Sequence, residues 1–185
     1  KTLAAKSLVQ PKARVGTRAL DRSRWNLFDA DVLLWRFEAG LDEELLVDLS
    51  EMRSAFEPAA SAMAARRASA EDVAALYEIA ARLADPAHDK ISIARVDLEF
   101  HIAIASASKN PFMQSVTNLI EAALAIAFKL SSPASDPAKI AECAANHRRI
   151  VEAIEARDEA AARQAMLHVI DAGAARMLLA LADTG

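Results

Sequence analysis

The sequence predicts an all-α chain, an antiparallel bundle of about six main helices preceded by a short remnant of a different domain. Composition points there first: alanine and leucine dominate, aromatics are 5% and there are only four glycines, a mixture that favours helix over strand. Punctuation points there second, because Asn110-Pro111 and Asp136-Pro137 each pair a helix-capping side chain with a proline suited to the first helical position. The third observation is periodicity. Leu45, Leu49, Met52, Phe56 and Ala60 recur at the spacing of one helix face. With 185 residues, 54% of them hydrophobic, the chain can bury the core of one ordinary domain and carry a short appendage.

Taken in order, Thr2 to Leu8 reads as the end of a helix that Lys1 already belongs to. Val9 to Leu20, with Pro11 and Gly16, reads as a small hairpin whose tip carries Lys12 and Arg14. Residues 21 to 40 are a connector that becomes briefly helical and stops at Gly40. A long helix is expected from Asp42 to about Ala68, kinked at Pro58. Ser69-Ala70-Glu71-Asp72 opens the next, which Asp85-Pro86 ends. A third runs from Lys90 to Ala107 and a fourth from Pro111 towards Leu130. After a loop at Ser131 to Ser135, a fifth carries His147, and a sixth, capped by Asp158, carries His168 and ends near Ala182.

Charge is placed unevenly. Residues 1 to 24 have a balance of +6 and the remainder −10 within a total of −4, which suggests that the head meets a polyanion such as nucleic acid. Cys143 is the single cysteine, which excludes an internal disulfide and thiolate-rich zinc modules and suits a buried thiol in a reducing cytoplasm. No apolar run is read as a membrane span, so no membrane partner is expected.

Chemistry concentrates at four residues. Asp97 and His101 lie one turn apart on the stripe Ile93, Asp97, Phe100, His101 and Ile104, so both can face a common point. His147 is in line with Ala144, Ile150, Val151 and Ile154, and His168 with Ala161, Ala165, Ala172 and Leu179; both rings are expected to point inward. A buried unpaired carboxylate or imidazole is costly, and one divalent cation would satisfy all four. The donor set suits zinc first, with nickel, manganese or iron as alternatives. The same residues also allow an Asp97–His101 pair with two separate core histidines. His88, in the Asp85 to Asp89 loop, reads as a solvated residue.

Asp97-x-x-Phe100-His101, Asn110-Pro111, His147-x-x-Ile150-x-x-x-Ile154-x-x-x-Asp158, and Ala165-Met166 before His168 resemble the ligand-binding FCD domain of GntR-type transcription regulators of the FadR subfamily. Leu49 to Ala60 resembles that domain's first helix. The resemblance implies that Asp97, His101, His147 and His168 hold a divalent metal, that Arg53 pairs with the carboxylate of a small organic-acid effector, and that the protein is a regulator and not an enzyme. Leu3 to Val9 and Pro11 to Thr17 resemble the end of the recognition helix and the wing of a winged helix-turn-helix, with Lys12, Arg14, Gly16 and Thr17 at the DNA. Ser7 stands where a glycine is usual. The connector, Trp25 to Trp35, resembles that of regulators of sugar-acid catabolism.

The expected organisation is therefore a winged-helix remnant at 1–24, a linker at 25–41 and a metal-dependent effector domain at 42–185, in a cytoplasmic homodimer. Because the start of the winged helix is missing, specific operator binding is expected of a longer chain only. A metal-dependent hydrolase and a purely structural dimerisation bundle are the competing readings.

Overall fold

The computed structural model describes residues 2–40, 43–134 and 136–182, and within the helix at 111–130 the side chains of 118–126 and 129 are not described. Lys1, Asp42 and Ser135, to which the sequence reading gave roles, lie outside the described residues. Two compact units are present, Lys1–Asp42 and Glu43–Gly185.

The first unit opens with α1 (Thr2–Ala5), then β1 (Val9–Lys12) and β2 (Gly16–Ala19). The strands pair antiparallel with Val9 opposite Ala19 and Lys12 opposite Gly16. α1 ends in a left-handed turn: Ser7 takes φ 59°, and the Leu8 and Ser7 amides donate to the Leu3 and Ala4 carbonyls. A residue with a Cβ is strained there. Arg14 (φ 62°) and Gly16 (φ 102°) turn the hairpin. A single 3-10 turn (Arg22–Arg24) leads to α2 (Ala30–Glu38), whose capping residue Asp29 accepts from the Asp31 and Val32 amides. Asp29 also accepts from Lys6 Nζ at 2.6 Å, tying α1 to the connector.

The second unit holds the six main helices: α3 (Glu43–Arg67), α4 (Ala70–Arg82), α5 (Lys90–Ala107), α6 (Pro111–Leu130), α7 (Pro137–Glu155) and α8 (Glu159–Ala182). Their ends follow the cap chemistry. Ser69 and Asp72 complete a reciprocal capping box, Asn110 and Asp136 cap helices with proline in the first turn, and Asp158 accepts from the Ala161 amide at 2.9 Å. Short connections force α5 and α6, and α7 and α8, to run antiparallel. His88 is half-buried, not solvated: its Nε2 meets the Arg82 carbonyl at 2.8 Å and its Nδ1 the Ser92 hydroxyl at 2.9 Å, joining the end of α4 to the start of α5.

α3 packs against α5, α6, α7 and α8. Small side chains make that possible, since Ala60, Ser61, Ala64 and Ala65 are buried and let neighbouring helices approach closely. The core then fills with Leu76, Leu83, Phe100, Ile104, Ile150, Ile154, Met166 and Ile170. α8 departs from expectation in one respect: its 24 residues contain a stretch of mean hydropathy 1.5, long and apolar enough to cross a membrane by length and composition. In this fold it instead packs on α3 and α7, burying Ala162, Met166, Val169, Ile170 and Met177.

Replacing Ser69 by Ala removes one half of the capping box, and the expected loss of stability is about 1 kcal/mol, read as a lower urea midpoint at unchanged slope.

Candidate metal and effector centre

Three of the four expected ligands meet. Asp97 and His101 on α5 and His147 on α7 present donor atoms that all lie within 4.8 Å of one another. His147 Nε2 is 2.8 Å from Asp97 Oδ1, and His101 Nε2 approaches the same oxygen at 3.4 Å. Both rings are buried. The i, i+4 spacing on α5 does what was expected of it, and α7 delivers His147 because Ile150, Val151 and Ile154 on its face are fully buried.

The outer nitrogens are held from behind. His147 Nδ1 donates to the Cys143 carbonyl at 2.8 Å, one turn earlier on α7, while His101 Nδ1 faces Glu57 Oε2 at 2.5 Å. His147 thus has Nδ1 hydrogen-bonded and His101 has Nδ1 set against a carboxylate without an aligned hydrogen bond, and both turn Nε2 to Asp97, the orientation in which imidazoles serve as metal ligands supported by a carbonyl or carboxylate. Phe100 meets the His147 ring edge-on at 4.9 Å, and Phe128 stacks on His101 at 5.0 Å. Apolar walls therefore fix both rings.

Glu57 was not singled out in the sequence. It lies on α3, buried, one turn after Arg53, and it accepts from Arg53 Nε at 2.7 Å. The Arg53 guanidinium lies 4.6 Å over the Phe128 ring. Arg53, Glu57, His101, Asp97 and His147 consequently form one continuous chain of charges across α3, α5 and α7, buried except at the half-buried Asp97. The signal that could have found Glu57 is the i, i+4 acid–base spacing on an apolar helix face.

His168 does not join them. It is exposed and lines an open groove with Arg149, Ala153, Ala161, Gln164 and Ala165. The inward position beside it is Val169, which is buried. The stripe that placed His168 inward contains Leu179, which is 68% exposed: α8 is apolar nearly all round, so periodicity could not tell its two faces apart.

Electrostatics follow the geometry. Burial opposes ionisation of Asp97, yet the adjoining His147 and His101 hold its carboxyl well below the usual range. Burial likewise works against charge on His147, but Asp97 prevails and raises it to about 10. Burial disfavours charge on Glu57 as well, and Arg53 and His101 bring it down to about 2; His101 is raised by Glu57 and Asp97 against its burial. Without metal the cluster is a set of ion pairs.

The donor set also fits a divalent cation. Both nitrogens of His101 are buried without a well-aligned hydrogen bond, although Glu57 and Asp97 are near, and a buried polar group left so costs about 1–3 kcal/mol. A cation among the three would occupy the His101 Nε2 lone pair and replace the proton between His147 and Asp97. Two imidazoles and one carboxylate also leave coordination positions open for another ligand.

The residues expected at DNA, Lys12, Arg14, Gly16 and Thr17, are all exposed at the tip of the β1–β2 hairpin. Arg14 projects from the turn itself. Nothing near Gly16 limits its size, so its positive φ is what calls for glycine there.

Comparison with known proteins gives a consistent picture. The family model for the FCD domain matches residues 48–172. The galactonate operon transcriptional repressor of Escherichia coli K12 is 29% identical over 177 residues, covering 96% of this chain and 77% of that protein. An HTH-type regulator of the same organism, YieP, is 33% identical over 121 residues, 64% of this chain and 53% of the relative. Among solved structures, a Streptococcus agalactiae GntR protein aligns with TM-score 0.62 at 22% identity over 94% of this chain and 77% of the other. E. coli McbR/YncC aligns at TM-score 0.65 and 16% identity over 96% and 80%. Both structures share the fold.

In chelator-treated protein the stabilisation from His147 is complete below its unfolded value of 6.5 and is lost as pH rises through about 10. That from Asp97 is complete above 3.8 and is lost as pH falls. Glu57 adds a contribution complete only above 4.5, so urea unfolding across pH should show greatest stability between about pH 4.5 and 6.5. His147→Ala should shrink the decline on the alkaline side. It should also cost about 1–3 kcal/mol at neutral pH by leaving the half-buried Asp97 with His101 as its remaining partner.

Proposed function

The chain belongs to the FCD domain family of GntR-type transcription regulators, and from that premise we propose that its helical unit is a metal-dependent sensor of a small organic acid. The observation that carries the proposal is the arrangement of His101 and His147, both buried and each turned through Nε2 to Asp97. Asp97, His101 and His147 would hold the ion. When bound, it would supply Lewis-acid attraction for the oxygens of the acid; zinc, iron(II), manganese and nickel all suit such a donor set.

Charge supports an anionic ligand. Arg53 is cancelled by Glu57, and a divalent ion exceeds the charge of Asp97 by one, so the centre would carry a single positive charge that a monocarboxylate neutralises. Arg53 gives Nε and Nη2 to Glu57, and its Nη1, with no hydrogen bond to a described residue, is the group we assign to the effector carboxylate. The galactonate operon repressor among the relatives makes sugar acids the first effectors to try. Residues 1–24 would be the end of a winged helix, with Lys12, Arg14, Gly16 and Thr17 at operator DNA, residues 25–41 the linker, and residues 42–185 the sensor. Operator reading in the cytoplasm by a homodimer follows from the usual pairing of winged helices with two half-sites.

A hydrolase remains the competing reading, because with His168 turned outward three protein donors leave room for an activated water. The names of the relatives favour regulation. The two separate on one measurement: a regulator returns the acid unchanged after incubation with metal-loaded protein and denaturation, whereas an enzyme returns product.

His147→Ala should lose bound metal in elemental analysis and lose calorimetric binding of sugar acids. His168→Ala should keep both. Wild-type metal content in the His147 variant would refute the site. Light scattering at micromolar concentration should give twice the chain mass.

A further inference from the structure

We propose that Glu57 is the positioning residue that couples effector capture to metal binding, one carboxylate oxygen holding Arg53 and the other holding His101. This rests on the metal-and-acid reading above and goes beyond it by assigning a role to a residue that is neither a ligand of the metal nor a contact of the acid.

The geometry allows no simpler role. Glu57 Oε1 accepts from Arg53 Nε at 2.7 Å, while Oε2 stands 2.5 Å from His101 Nδ1, not aligned as a hydrogen bond but close enough that the carboxylate charge favours a proton on that nitrogen. That proton fixes the tautomer. With Nδ1 protonated, the lone pair of His101 sits on Nε2, the atom turned towards Asp97 and His147. The same side chain restrains the guanidinium, which Phe128 supports from its other surroundings by stacking on both Arg53 and His101. Glu57 is itself held in place, because Pro58 beside it and Ser61 one turn on are buried in α3. A shift of Arg53 towards an incoming carboxylate would therefore pull on Glu57 and so on the ring that binds metal.

Packing alone predicts something different from positioning. If Glu57 merely fills space, the isosteric Gln restores everything. If it positions, Gln keeps the volume and can still accept from His101, but it loses the charge that holds the tautomer and its amide nitrogen cannot accept from Arg53. Carboxylate partners of metal-bound histidines typically contribute 10- to 100-fold to metal affinity.

The test is zinc and manganese affinity, by competition with a chelator, of wild-type protein and of the variants Glu57→Gln and Glu57→Ala, followed by galactonate calorimetry at saturating metal. We expect about a 10-fold loss of metal affinity for Gln and a larger one for Ala, with weaker acid binding in both. Should Glu57→Gln fail to fold with Arg53 unpaired, the double variant Arg53→Met, Glu57→Gln removes both charges and must show the same loss of metal affinity. Folded variants that bind metal as tightly as wild type overturn the proposal. If wild-type protein binds neither metal, the sensor reading fails by itself, and the role of Glu57 is judged from crystal structures of metal-free protein. There the wild type should keep the His101 ring turned to Asp97 and the Arg53 guanidinium in place, and Glu57→Gln should show both displaced; superimposable side chains would overturn it.

Discussion

The bundle is organised around one half-buried carboxylate. Asp97 lies on a helix face whose other members, Ile93, Phe100 and Ile104, are buried in the core, and an isolated carboxylate in such surroundings is too costly to remain ionised. α7 must therefore bring His147 to it, and α3 must bring Glu57 to the second ring, His101. The crossing of these three helices is set by charge satisfaction as much as by the alanine-lined contacts of α3. Among the described residues, the buried charged side chains, Arg53, Glu57, His101 and His147, all belong to this one network.

Helix boundaries were legible because they are written in local chemistry. Capping by Ser69, Asn110, Asp136 and Asp158 and the left-handed end at Ser7 depend on a few consecutive residues, and the structure places them as read. The interior face of α8 was not legible for the opposite reason. Alanine, leucine, valine and methionine surround that helix, so several stripes look equally apolar, and the choice between Val169 and His168 is made by contact with α3 and α7. Tertiary packing decides where the pattern is degenerate.

The candidate site was legible in proportion to its locality. Asp97 and His101 could be paired from spacing on one helix, and His147 from a stripe with distinct apolar and polar sides. Glu57 escaped notice because the apolar stripe read on this helix ran through Met52, Phe56 and Ala60, whereas Phe56 is exposed and Glu57 buried, and because its partner His101 is distant along the chain. An acid that follows an arginine by four residues is usually a solvated pair of little energetic weight. What distinguishes this pair is burial, which only the fold supplies.

A network of this kind also suits a sensor better than an apolar core does. Close-packed hydrocarbon has few alternative arrangements, whereas a chain of charges can change partners when a new anion arrives, provided that the ligand favours one arrangement over the other. On the proposed reading, an acid bound at Arg53 Nη1 leaves Nε with Glu57, so that a shift of the guanidinium is passed through Glu57 to His101. The shift would move no charge into apolar surroundings, because Glu57 stays between Arg53 and His101 throughout. Effector binding would thus alter the link between α3 and α5 without the desolvation cost that ordinarily opposes motion of buried ions.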